Sequence, residues 1–256
     1  MSSLTYIEEG NEDFLCSRYR ISGPFSTDGL VETLDTLVQQ KPECRFLLTL
    51  DFFPQACYTS MHAKMTHDLD STEGFDLSGL PAECFEDGEH LGYLTNKAEF
   101  FIQRSNYKRR LNQASFEALC QKQISLFSES DAGTPAFERD LASVIDDREA
   151  YILEVPVMQQ HETLYAFPNG YFQADLNPLE NMLLARRMAE EFDYHPIGMG
   201  SEFVAYRRNS ELDGKHIDNL IDMLAEIYRD DVRGELADRL RQCIQSNEVL
   251  VLRYQE

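Results

Sequence analysis

Residues 178–208 read PLENMLLARRMAEEFDYHPIGMGSEFVAYRR, a helix that runs into a hairpin. Asn177 stands where a helix N-cap belongs, Pro178 suits the first helical position, and Glu180 completes a capping box. Leu179, Met182, Leu183, Met188 and Phe192 are among the apolar residues of that helix. HPIGMGSEFVAYRR (195–208) then alternates like two strands that turn near Gly198–Ser201. The Gly-x-Gly within it follows a helix and precedes a strand, the reverse of a phosphate loop, so it reads as a tight turn. Ile217, Leu220, Ile221, Leu224 and Tyr228 place a further amphipathic helix after the hairpin.

Working upstream, ETLYAF (162–167) and GYFQAD (170–175) read as a hairpin about Pro168-Asn169-Gly170. AYILEVPVM (150–158) reads as a strand, and TPAFERDLASVI (134–145) as a helix with Thr134 as its cap. The order is α-βββ-α-ββ-α.

The first half echoes the second. HDLDSTEG (67–74) matches ADLNPLEN (174–181), which predicts a second helix start with Asp70 and Glu73 in the capping places. TDGLVETLDTLV (27–38) sets Leu30, Leu34, Leu37 and Val38 where the later segment has Phe137, Leu141, Val144 and Ile145. RFLLTLDFF (45–53) carries Phe46, Leu48, Leu50 and Phe52 in the phase of Tyr151, Leu153, Val155 and Val157. AEFFIQR (98–104) answers SEFVAYR (201–207), and Phe116, Leu119, Cys120, Gln123 and Phe127 answer the last helix. The expectation is an α+β chain made of two tandem α-βββ-α-ββ-α repeats. They would form a pseudo-dimer of antiparallel sheets with helices packed on them. The repeats occupy 1–127, with an extra N-terminal strand at 14–22, and 134–256, with an added helix at about 232–246 and a strand at 248–254. SESDAG (128–133) links them, and breakers at Gly74, Gly79, Pro81 and Gly88 leave the middle of the first repeat loose.

With 45 acidic and 23 basic residues the formal net charge is −22, a surface that repels phosphate backbones and disfavours nucleic acid. The basic group Arg104, Lys108, Arg109 and Arg110 reads as a solvated loop after a strand. MSSLTYIEEGNEDF lacks the basic start and apolar core of a signal peptide, and no apolar run reaches membrane length. Six cysteines without CxxC spacing are expected to be reduced thiols in a cytoplasmic protein.

The segment NMLLARRMAEEFDYHPIGMGSEFVAYRRNSELDGKHIDNLIDMLAEIY (181–228) resembles the specialised chaperones of bacterial type III secretion systems. The resemblance implies a non-catalytic module that holds a segment of a secreted effector against apolar strand faces. It also implies a protein partner, while the lack of a membrane-length apolar run speaks against a membrane partner. This chain is about twice the family's length, which a fused pseudo-dimer accounts for. Leu47 and Phe53 in one copy, with Ile152 and Met158 in the other, are the candidate partner-binding residues on the outer strand faces. Cover by the chain's own helices is the competing expectation for that face.

Catalytic and metal signatures are weak. Cys57, His62, His67, Cys84 and His90 are grouped in 57–90 but follow neither CxxC nor helical His spacing, so neither metal nor cofactor is assigned. Asp68-x-Asp70 puts Gly74 out of register for a calcium loop, and no nucleophile elbow is present. Two alternatives stand beside the binding module. One is an immunity-type or nucleic-acid-mimic inhibitor of a basic enzyme; the other is an enzyme with a metal site in 57–90.

Overall fold

The computed structural model describes residues 3–11, 13–128 and 131–255. It is an α+β protein in which strands of both halves enter one mixed sheet. The strands are β1 (Ser3–Ile7), β2 (Ser17–Ser22), β3 (Arg45–Thr49), β4 (Ala150–Val155), β5 (Tyr194–Met199), β6 (Phe203–Arg208) and β7 (Val249–Arg253). Their order across the sheet is β1-β2-β4-β3-β5-β6-β7, antiparallel throughout except for β3 against β5. The helices are α1 (Thr27–Gln40), α2 (Phe53–Thr66), α3 (Phe100–Arg110), α4 (Phe116–Gln121), α5 (Pro178–Phe192), α6 (Gly214–Ile227) and α7 (Glu235–Ser246).

The sheet is buried on both faces. Phe46, Leu48 and Leu50 of β3 and its end pack with Ile152, Ile197, Ala205 and Val251 beneath Leu30, Leu34 and Leu37 of α1. On the other face Leu47, Leu153, Val155, Met199, Val204 and Leu252 meet the apolar faces of the remaining helices. This explains why FLLTL reads as a continuous apolar run rather than a strict alternation. It also reverses the expected phase match. β3 and β4 pair with Leu47 opposite Leu153 and Leu48 opposite Ile152, so Phe46 and Leu48 face α1 while Tyr151 and Leu153 face away from it.

The helix over 178–192 and the hairpin that follows it form as expected. The Asn177 side chain accepts from the Leu179 and Glu180 N–H groups at 2.9 and 3.0 Å, and Glu180 accepts from Asn177 N–H at 2.8 Å. Lys122 adds a clamp, pairing with Glu180 at 3.0 Å and donating to the Gln173 and Asp175 carbonyls. Asn177→Ala is expected to cost about 1 kcal/mol, read as a lower urea midpoint with an unchanged slope.

Other expectations are corrected. Residues 134–145 make no α-helix: after a strand at Asp131–Pro135 come two short 3-10 turns, Ala136–Glu138 and Leu141–Val144. Phe137, Leu141, Val144 and Ile145 are nevertheless all buried. Extended backbone at Arg139 and Asp140 breaks the turn, and Asp140 caps the second piece through Ala142 N–H at 3.2 Å. Residues 162–175 form no hairpin; Gln160–Tyr165 is a 3-10 helix held where Gln103 donates to the Tyr165 carbonyl. Residues 98–104 enter helix α3 rather than a strand, because Asn96 and Glu99 form a capping box at 96–99. The basic group therefore lies on a helix: Arg104 and Lys108 share Glu162, and Arg110 pairs with Asp68. Asp70 and Glu73 start no helix. The strand expected over 45–53 stops at Thr49, and the loose middle begins instead with α2, four turns launched by Pro54. The Thr27 cap moves one residue, to Ser26. Of the 128–133 linker, residues 129 and 130 lie outside the described residues.

Candidate functional site

Strand alternation had singled out Leu47, Phe53, Ile152 and Met158 as a partner surface. Leu47 and Ile152 have no exposure and Phe53 is buried, while Met158 is 60% exposed. The correction has a simple cause: α1 covers one face of the sheet and the other helices cover the opposite one. Phe53 is the first residue of α2 and packs against Phe14 and Tyr151, with ring centroids 5.9 and 5.2 Å apart. Met158 stands alone at the rim of a depression of about 340 Å³ between α1 and the sheet, which Leu34, Val38 and His195 also line. The four residues do not form one surface.

The 57–90 segment is a closed structural clasp. Glu99, with no solvent exposure, accepts from the Thr95 and Asn96 N–H groups at 2.7 and 2.8 Å and lies 2.7 Å from His90 Nε2. Gly92 N–H donates to His90 Nδ1 at 3.0 Å, so the proton on Nε2 points at Glu99. Cys84 lies beside Glu99, and burial, then that carboxylate, push its thiol up and keep it protonated. Burial with Asp13 does the same to Cys57. His62 meets Tyr58 edge to face and lies tilted against Tyr171, and burial lowers the pKa of His67. Among the described residues no three His, Cys, Asp or Glu side chains are grouped to hold a metal ion. All six cysteines are free.

A crevice of about 380 Å³ opens where the parallel strands β3 and β5 end, lined by Asp51, Phe52, Asp146, Arg148, Glu202 and Phe203. Its acids hold backbone together. Asp51 accepts from the Ser201 hydroxyl at 2.7 Å and from the Glu202 and Phe203 N–H groups at 2.9 and 3.3 Å. Burial still pushes its pKa up to about 6 against those hydrogen bonds. Asp146 accepts from Phe53 N–H at 3.2 Å and caps α2. Burial acts to raise its pKa, but hydrogen bonds from Arg148 and from that N–H hold it below the usual carboxylate range. Glu202 faces the buried Arg253 at 3.6 Å. The arrangement secures the turns at the strand ends.

The least ordinary surface is that of α2. Its inward positions are mostly small or polar: Ala56, Thr59, Ser60 and Ala63 are buried, with Phe53 at the start and Lys64 near the end. The Thr59 hydroxyl lies 2.9 Å from the Gln55 carbonyl oxygen and 2.6 Å from Asn169 Oδ1. Its larger apolar side chains point out, and Tyr58, Met61 and Met65 are exposed. With the half-buried His62 they fall at i, i+3, i+4 and i+7, one continuous stripe. Two loop aromatics extend it, since His62 and Tyr171 have ring centroids 4.9 Å apart and Tyr171 and Phe172 5.3 Å. At the helix start Phe52 sits exposed in the left-handed region, at φ 43° and ψ 57°. That conformation costs a side-chain-bearing residue about 1–2 kcal/mol. Asp13 and Glu149 lie close enough to Cys57 to raise its thiol pKa, and Lys64 of the same helix close enough to oppose them, so charges of both signs flank the stripe.

The stripe was visible as spacing in YTSMHAKM. Such a pattern ordinarily marks the buried side of a helix, and the signal for the reverse was the run of small residues between its members. Comparison with family models, with curated proteins and with solved structures finds no match for this chain. Fold and surface define an α+β protein with a doubly covered mixed sheet and one helix whose apolar side faces out. Among the described residues no helix is long and apolar enough to cross a membrane.

Proposed function

We propose that this chain is a non-catalytic protein-binding module that receives an apolar, basic-flanked segment of a protein partner on the outward stripe of α2. One observation carries this reading: Tyr58, Met61 and Met65 stand exposed on a helix whose buried face is built of Ala56, Thr59, Ser60 and Ala63. Contiguous exposed apolar side chains mark interaction surfaces, and methionines adapt to the shape of what docks. Aromatic anchors supply most of the binding energy in such contacts. The net charge of −22 favours a partner with basic residues around its apolar core. The resemblance of residues 181–228 to secretion chaperones supports the same role, a client segment held on apolar surface, with a helix taking the place of the strand faces.

Photo-crosslinking in the native host tests it. With p-benzoylphenylalanine at Met61 or at Phe172 a discrete adduct of higher mass is expected. At Glu211, exposed beyond the far end of β6, none is expected. Met65→Glu should remove the Met61 adduct while leaving the thermal melt unchanged. An identical adduct pattern at all three positions, or none at any, rejects the reading. Persistence of the adduct in high salt separates apolar capture from a nucleic-acid mimic, whose contacts would dissolve.

A further inference from the structure

One edge of the sheet is formed by β1. Among the described residues β1 pairs with β2 on one side only, from Ser3 opposite Ser22 to Ile7 opposite Arg18. The strand is firmly placed. The Ser17 hydroxyl and Arg18 donate to the Glu8 and Glu9 carbonyls at 2.9 and 2.8 Å, Tyr6 lies against Tyr19 at 5.0 Å, and Lys41 sits 4.5 Å over the Tyr6 ring. The opposite edge is closed. β7 is buried over most of its length, its residues Val251 and Leu252 belong to the two cores, and Leu176 N–H donates to Tyr254 just beyond it.

Exposed edge strands normally carry a lysine, a proline or a bulge that prevents further pairing. Ser3-Leu4-Thr5-Tyr6-Ile7 has none of these and no charge, in a chain of net charge −22. Leu4 and Tyr6, on one face of the strand, are 44% and 46% exposed. The strand is also complementary to itself. Paired antiparallel about Thr5, Ser3 meets Ile7, Leu4 meets Tyr6, and Thr5 meets Thr5. Both copies of the exposed pair are then covered by each other. Moving the centre to Tyr6 sets Glu8 opposite Leu4, which the Thr5 register avoids.

We infer that β1 is the contact of a homodimer, in which two copies of this chain join their sheets edge to edge about a twofold axis at Thr5. A foreign basic strand would suit the overall charge, but the five neutral, self-matching positions fit a second copy. The contact is small, so the dimer is a weak one. Because two strongly acidic bodies meet through a neutral seam, its affinity rises with salt, opposite to the salt response of a basic partner steered by charge.

Sedimentation equilibrium tests this. At about 100 µM protein a monomer–dimer equilibrium is expected. Its dissociation constant should fall by roughly threefold or more as NaCl rises from about 0.05 to about 0.5 M. Leu4→Glu/Tyr6→Glu and Leu4→Lys/Tyr6→Lys chains should each be monomeric with wild-type circular dichroism. Mixed in equal amounts they should form a heterodimer, since position 4 of one faces position 6 of the other. Three results each overturn the inference: a monomer at every salt concentration, a wild-type dimer that survives the Glu/Glu change, or monomers that stay monomeric on mixing. The Met61 adduct should form equally in the Glu/Glu chain, so failure of the edge contact and failure of the α2 reading are told apart.

Discussion

Asp51→Ala is expected to destabilise the fold by about 4 kcal/mol, lowering the midpoint of thermal unfolding by roughly 10 °C. The side chain closes the turn between β5 and β6, where it accepts from the Ser201 hydroxyl and from the N–H groups of Glu202 and Phe203. Gly200 packs so closely on it that a Cβ there would lie 2.1 Å from Asp51 Oδ1. On the far side of the turn the Tyr254 hydroxyl lies 2.6 and 2.7 Å from the Gly200 and Ser201 carbonyls. Removing the carboxylate therefore strands three donors where little water reaches, and the cost of leaving them unmade exceeds the worth of the bonds themselves. Ser201→Ala removes one donor together with its need, and is expected to cost less than half as much. Equal losses for the two variants would show that Asp51 is not the keystone of this turn.

The same residue carries a pH signature. Burial raises its pKa from 3.8 to about 6, so between those values the folded protein binds a proton that the unfolded chain releases. Its contribution to stability is complete below about pH 4 and is lost as the pH rises past about 6, a change of up to about 3 kcal/mol. Asp51→Asn cannot titrate. Urea titrations should therefore show the Asn variant improving relative to wild type between pH 4 and 7. A constant difference between the two proteins across that range would contradict the assignment.

Gly170→Ala is expected to prevent folding, or to cost more than about 4 kcal/mol where a folded population survives. Gly170 has φ 105°, outside the range L-residues favour, and a Cβ built on it would lie 1.8 Å from the Leu176 carbonyl oxygen. That oxygen cannot retreat freely. It accepts from Asn181 Nδ2 at 2.8 Å, the Leu176 N–H is bonded to Tyr254, and Asn177, the cap of α5, follows directly. Gly74→Ala is the control. Its φ of 82° imposes the same backbone penalty, but nothing lies within 4 Å of the added carbon, so a loss of about 1 kcal/mol is expected. Circular dichroism melts of the two variants would separate strain from collision, and similar melts would refute the collision.

What was legible in the sequence depended on whether a local signal agreed with the tertiary demand. Asn177-Pro178-x-Glu180 and the turn at Gly200 announced α5, β5 and β6, and nothing in the packing contradicted them. Residues 134–145 carried the correct buried positions in the wrong conformation, because apolar spacing reports burial, and two 3-10 turns joined by extended Arg139 and Asp140 bury the same residues that a helix would. AEFFIQR resembled SEFVAYR residue by residue, yet the capping box of Asn96 and Glu99 turned the former into a helix. The candidate site was missed for two related reasons. A partner surface on β3 required one uncovered face, whereas the competing expectation, cover by the chain's own helices, is what forms, and FLLTL is the run of a strand covered on both. In α2 the usual relation between side-chain size and burial is inverted, and its outward stripe lies in the segment expected to be loose.

The order of strands across the sheet also sets when the protein can assemble. β3, ending at Thr49, has as its two neighbours β4, which starts at Ala150, and β5, which starts at Tyr194. β2 likewise waits for β4. The middle of the sheet thus joins segments more than a hundred residues apart, a high contact order that slows folding. During synthesis the apolar faces of β2 and β3 emerge long before their partner strands, with only α1 to α4 at hand to cover them. A nascent chain stalled before residue 150 should accordingly be a substrate for the cell's own folding helpers.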